Sequence, residues 1–192
     1  MIERIQELAR RSLDTKRAFF DSHSEKVAAA AELMIRSIRS GGKVLIFGNG
    51  GSAADAQHIA AELVNRFTYD RPPLAAISLT TDTSILTSVA NDSSFDQLFE
   101  RQVRALGRAE DVALAISTSG NSPNVLRGVV AAREIGMKTV GLAGRDGGKL
   151  APEVDVALVV ESDSTQHVQE THITIGHILC DLIEGAIHPR ER

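Results

Sequence analysis

"KVLIFGNGGSAADAQHIAAEL" (residues 43–63) changes character twice along its length. Residues 44–47 form a continuous apolar run of strand size, the pattern of a strand buried on both faces. Gly48, Asn49, Gly50, Gly51 and Ser52 follow as a loop of small residues. Glycines there permit positive φ and let the backbone come close to a ligand. From residue 53 the pattern is helical and places His58 and Glu62 four residues apart, with Cβ atoms about 5–6 Å from each other on one face. A helix that starts directly after such a loop offers unpaired N–H groups and the positive end of its dipole to an anion.

The same alternation repeats through the chain. Short apolar runs predict strands at 44–47, 75–78, 112–116, 139–142 and 156–159, and helical patterns fall at 53–66, 82–90, 95–106, 123–136 and 166–187. Continuously apolar strands separated by helices imply an α/β fold: a five-stranded parallel sheet with helices on both faces, in three flavodoxin-like layers. The first forty residues read as two further helices, 1–20 and 24–40, closed by Gly41 and Gly42. These are expected to serve subunit packing, with residues 41–192 carrying the ligand chemistry.

Composition excludes several classes of protein. The 192 residues carry a net charge of −4 and no long run of like charge, which argues against a nucleic-acid-binding surface. The apolar runs are too short to cross a membrane. A single cysteine, Cys180, cannot form an internal disulfide, and no signal peptide opens the chain, so a reducing cytoplasm is expected.

A second loop, "STSGNS" (residues 117–122), echoes the first. It brings hydroxyls at Ser117, Thr118, Ser119 and Ser122, and Pro123 stands at a first helical position. Neither loop is followed by the lysine of a Walker motif, nor does either have the G-x-G-x-x-G spacing of a dinucleotide site. Two such loops in equivalent places on one sheet suit a single phosphate held by amides and hydroxyls.

The pair His58/Glu62 supplies a nitrogen and an oxygen suited to zinc or a related divalent ion. The last helix adds Gln166, His167, Gln169, Glu170, His172 and His177 in "TQHVQETHITIGH". Helix geometry sets Glu170 and His177, seven apart, nearly in line, and Gln169 about 80° from His177. Spacing alone therefore favours Glu170 as the partner of His177. Most of the histidines in this region are expected to be exposed and without a ligand.

Taken together, "GNGGSAADAQHIAAEL", "AND" (residues 90–92), "ISTSGNS", "GLAGRDGGKLA" and "VQETHITIGHILCDLIE" resemble the sugar isomerase (SIS) domain and, within it, the phosphoheptose isomerase family. The resemblance spans essentially the whole chain. It implies a cytoplasmic homotetramer with sites between subunits and one Zn²⁺ per subunit. The family interconverts sedoheptulose 7-phosphate and D-glycero-D-manno-heptose 7-phosphate, the first step toward the nucleotide-activated heptose of lipopolysaccharide core. By resemblance, His58, Glu62, Gln169 and His177 hold the metal, so the motif selects Gln169 where spacing favoured Glu170. Ser52, Ser117, Thr118, Ser119 and Ser122 hold the phosphate, while Asn49, Gly50, Gly51, Asn91 and Asp92 line the sugar. An enediol route then needs a base and an acid, for which Glu62 and His177 are the choice. Some relatives carry Asp where this chain has Gln166, so no role of that carboxylate transfers. A rival within the wider family is a non-enzymatic protein that binds the bacterial replication initiator. In that relative the acid–base pair is lost, whereas this chain keeps both Glu62 and His177.

Overall fold

The computed structural model describes residues 1–190. Five parallel strands form one sheet in the order β2-β1-β3-β4-β5: β1 (Val44–Gly48), β2 (Ala76–Ser78), β3 (Val112–Ser117), β4 (Lys138–Gly144) and β5 (Val156–Val160). Six helices connect and cover them: α1 (Ile2–Arg39), α2 (Gly51–Val64), α3 (Thr83–Asp92), α4 (Leu98–Leu106), α5 (Pro123–Ile135) and α6 (Thr165–Ile187). The expected three-layer α/β architecture is present, and the expected strands shift at their ends by only one or two residues. The expected helix at 95–106 begins as a 3-10 turn over Phe95–Gln97 before α4.

Alternation along the buried strands builds two cores. Val44, Ile46, Val112, Leu114, Ile116, Val140 and Leu142 face α1, α2 and α6, joining Met34, Ile59, Ile175 and Leu179. Leu45, Phe47, Ala113 and Ala115 face the opposite way, toward α4 and α5. The alanines leave room there for Phe47 and Phe99, whose rings lie 5.1 Å apart. A Cβ at Gly128 of α5 would come within 2.9 Å of the Phe47 ring, so glycine lets this helix settle onto the sheet.

The N-terminal segment differs from the two helices expected. Residues 2–39 form one uninterrupted helix of 38 residues, about 57 Å long at 1.5 Å per residue. The expected break, at 21–23, lay within "DSHS" (residues 21–24), which contains neither glycine nor proline. Its serines turn back on their own helix: Ser22 Oγ donates to the Ala18 carbonyl at 2.9 Å and Ser24 Oγ to the Phe20 carbonyl at 2.6 Å. Such back-bonding satisfies the hydroxyls without leaving the helix. The C-terminal half of α1 belongs to the core, with Phe19, Val27, Ala30, Ala31 and Met34 buried. The N-terminal half exposes apolar residues, with Ile2, Ile5 and Leu13 each more than half exposed.

Candidate active site

In the strand order 2-1-3-4-5 the chain leaves β1 toward one side and β3 toward the other, and ligands of such sheets bind at that switch point. Both small-residue loops lie there. The chain turns from β1 into α2 at Gly50, whose φ of 56° is in the left-handed region. The β3 loop turns at Gly120, with φ of 64°, where a Cβ would stand 2.1 Å from the Gly147 carbonyl oxygen. A reciprocal amide pair joins the loops: Asn49 Nδ2 donates to Asn124 Oδ1 and Asn124 Nδ2 donates to Asn49 Oδ1, both at 2.8 Å. The Ser117 and Ser122 hydroxyls are hydrogen-bonded to each other at 3.0 Å, and Ser122 precedes α5 without capping it. Ser52 is buried in the first turn of α2. Thr118 and Ser119 are half-buried, and Ser119 Oγ accepts from the Asn121 amide at 3.2 Å.

The remaining chemistry is built by α2 and α6. A Cβ on Gly176 would meet Ile59 Cδ1 at 2.6 Å and Cγ1 at 2.8 Å, so glycine at this position lets the helices touch. The neighbours Gly51–Gln169 and Ile59–Gly176 rise together in number, so the two helices run side by side in the same direction. One residue from Gly176, His177 reaches His58. Their Nε2 atoms are 3.4 Å apart, and His58 Nε2 is 3.1 Å from Glu62 Oε1. One donor atom from each of His58, Glu62 and His177 falls within 4.8 Å of the others.

A single proton on His58 Nε2 cannot satisfy an imidazole nitrogen and a carboxylate at once. Three lone pairs converging on one point can satisfy a cation. At metal–ligand distances of about 2.0–2.1 Å, tetrahedral zinc sets its donors roughly 3.3 Å apart, close to the two separations observed. The donor set therefore fits the metal that the sequence implies.

Gln169 is half-buried, and its amide packs against Gly51, where a Cβ would stand 2.5 Å from Nε2. Among the described residues it makes no hydrogen bond to His58, Glu62 or His177. Glu170 turns the other way and accepts a hydrogen bond from Ser12 Oγ on α1. The spacing argument for Glu170 is thereby overturned. The face of α6 that meets α2 runs through Gln169 and Gly176, and His177 approaches from its edge. The histidine expectation is corrected as well, since His167 and His172 are buried. The Ala143 carbonyl takes the Nε2–H of His172 at 3.1 Å, and burial pushes that imidazole down to about 4.

Asn91 and Asp92 close α3 on the exposed surface, where Asn91 Nδ2 donates to Asp92 Oδ1 at 2.7 Å. Among the described residues nothing bonds them to the three donors. Asp55 escaped the sequence reading, although its spacing of four after Gly51 and three before His58 puts it on their face of α2. One of its carboxylate oxygens is buried without a partner, and burial raises its pKa against the opposing pull of His58. A cleft of about 860 Å³ does not cover the donors. It lies beside the second loop, lined by Ser119, Asn121, Arg145, Asp146, Lys26 and His23.

Fold and site together define a sugar isomerase domain, and the family model described as SIS domain matches residues 8–144. A phosphoheptose isomerase of Aquifex aeolicus is 50% identical over 190 residues, covering 99% of this chain and 100% of the relative. The phosphoheptose isomerase of Solidesulfovibrio magneticus is 58% identical over 166 residues, 86% of this chain and 81% of that one. The structure of phosphoheptose isomerase GmhA from Neisseria gonorrhoeae superposes with a TM-score of 0.90 at 47% identity, covering 95% of this chain and 98% of that one. The chain belongs to the phosphoheptose isomerase family.

Proposed function

We infer that this protein is an aldose–ketose isomerase that converts sedoheptulose 7-phosphate to D-glycero-D-manno-heptose 7-phosphate, feeding nucleotide-activated heptose synthesis. The observation that carries the reading is the convergence of His58, Glu62 and His177 one helix away from two phosphate-suited loops. The substrate phosphate binds Ser52, Ser117, Thr118, Ser119 and Ser122 and the N-terminus of α5. Asn49, Gly50 and Gly51 meet the sugar hydroxyls. The Glu62 carboxylate takes the proton from C1 and returns it to C2, and His177 exchanges protons with the two oxygens. His58, Glu62, His177 and the amide oxygen of Gln169 are the residues that would hold zinc, one ion per subunit. Bound there, the ion polarises the carbonyl.

A carboxylate on a metal is a weaker base, so either Glu62 would be off the metal when it takes the proton, or the ion would serve structure more than chemistry. We also assign the protein to the cytoplasm and to a homotetramer with sites between subunits. Two observations favour the tetramer: the unpartnered apolar residues of the α1 N-terminal half, and donors that face outward, with the His58 side chain 47% exposed. A neighbouring subunit would then supply Asn91 and Asp92 to the sugar. Among the described residues no helix is long and apolar enough to cross a membrane. The rival role at a replication initiator dispenses with the acid–base pair, which this chain retains in a convergent arrangement.

The test follows sedoheptulose 7-phosphate by NMR with zinc-loaded protein beside Glu62→Gln. Formation of the aldoheptose 7-phosphate by the wild type and its loss in the variant, by about 10²–10⁴-fold, support the assignment. A fully active Glu62→Gln, or an inert wild type with metal bound, overturns it.

A further inference from the structure

His177 is unusually short of polar support. Among the described residues its ring makes one polar contact, Nε2 to His58 Nε2 at 3.4 Å, and no carboxylate or carbonyl receives its Nδ1. Metal-binding histidines ordinarily fix their tautomer and orientation by donating that second N–H to an oxygen. Here the ring is held by packing instead. The Phe67 ring lies 5.6 Å from it, tilted by 31°, and the His58 ring stands edge-on at 5.0 Å and 76°.

Phe67 belongs to a connecting segment after α2, which would ordinarily be a mobile place for a support. This segment is clamped. Glu184, fully buried on α6 and seven residues beyond His177, accepts from the Phe67 amide at 2.8 Å, the Thr68 amide at 2.8 Å and the Thr68 hydroxyl at 2.6 Å. Arg71 Nε completes the set at 3.0 Å. Burial alone would raise the Glu184 carboxyl; these donors outweigh it and hold the group at about 2. The same guanidinium donates to the carbonyls of Glu62 at 2.9 Å and Leu63 at 2.8 Å, the last turn of α2. One buried ion pair therefore ties the end of the helix bearing His58 and Glu62 to the helix bearing His177, and fixes Phe67 between them.

We propose that Phe67, clamped by the buried Arg71–Glu184 pair, is a positioning residue that orients the His177 imidazole toward His58 and Glu62. It takes the place of the missing hydrogen bond to Nδ1. The proposal rests on His58, Glu62 and His177 being the metal and acid–base site.

The test compares Phe67→Leu and Phe67→Tyr with the wild type in three measurements: zinc affinity by competition with a chromophoric chelator, kcat and KM separately on zinc-saturated enzyme, and thermal unfolding. Phe67→Leu is expected to weaken zinc about 10-fold, within the range for outer supports of metal ligands. It should also lower kcat about 10-fold and leave KM within twofold. Phe67→Tyr, which keeps the ring, restores zinc affinity and kcat. A leucine variant with a lower Tm but wild-type zinc affinity and kcat shows that Phe67 only packs, and overturns the proposal. Glu184→Gln, where it folds, should move zinc affinity the same way; a folded variant with unchanged affinity also counts against the clamp. A His177→Ala control separates the premise from the proposal. If that variant keeps wild-type zinc affinity and turnover, the site reading itself is wrong, whatever Phe67 does.

Discussion

Replacing Gly176 with alanine would place a methyl group 2.6 Å from Ile59 Cδ1 and 2.8 Å from its Cγ1. Carbon atoms pack at about 3.5–4.0 Å, so the contact is short by about 1 Å. Ile59 is 2% exposed and branched at Cβ, and has little freedom to yield. The helices must part instead, carrying His177 away from His58 and Glu62. The stability change is small: alanine gains about 1 kcal/mol over glycine inside a helix, while overpacking costs about 1–3 kcal/mol. The net destabilisation should not exceed about 2 kcal/mol. The reaction is more exposed, because a misplacement of about 1 Å can cost about 100-fold in rate. Urea unfolding and kcat/KM for sedoheptulose 7-phosphate, measured on the same preparation, separate the two. Adding Ile59→Val, which removes the closest carbon, should recover part of the activity. Gly176→Ala with wild-type kcat/KM and near-wild-type stability would refute the argument that this glycine sets the donor geometry.

Acid should destabilise the fold through His172. Its folded-state pKa is about 4 against an ordinary 6.5, so the unfolded chain takes up a proton that the folded chain refuses. The contribution is complete above pH 6.5 and falls as pH drops toward 4, by about 3 kcal/mol at 1.36 kcal/mol per pH unit. His172→Leu should flatten that slope in urea titrations, and an unchanged slope would contradict it. Cys180 is buried, and desolvation first, with the Glu62 charge second, pushes its thiol to about 12; a thiol reagent at neutral pH should label it only after denaturation. Ile5→Glu with Leu13→Glu should shift the assembly to smaller species in light scattering and leave the helical circular dichroism intact. A tetramer surviving both charges would remove α1 from the interface.

Local signals made the sheet legible. The strands are continuously apolar, and the glycine and serine loops stand where β1 and β3 end. His58 and Glu62 were readable for the same reason, since four residues on a helix fix a shared face. The misreadings arose where long-range contacts decide. The residues "DSHS" carry turn-forming side chains, but the helix persists because the hydroxyls find carbonyls one turn back. Glu170 faces α1 and not α2 because the direction in which α6 meets α2 depends on Gly176 and Ile59, more than a hundred residues apart in sequence. Neither Arg71 nor Glu184 carries any local mark of its partner, and the burial of His172 follows from the position of β4. Asp55 was within reach of the sequence, since its spacing from His58 and Glu62 is helical, but an isolated carboxylate carries no sign of being half enclosed.

The reciprocal amides of Asn49 and Asn124 bear on the entropy of recognition. Two loops that would otherwise fluctuate separately are joined by paired 2.8 Å hydrogen bonds before any ligand arrives. Ordering a receptor loop on binding subtracts from affinity, and a receptacle ordered in advance avoids that loss. If the two loops hold the substrate phosphate as proposed, that phosphate would meet a socket already ordered, and its binding free energy would remain available to hold the sugar at the proposed reacting groups.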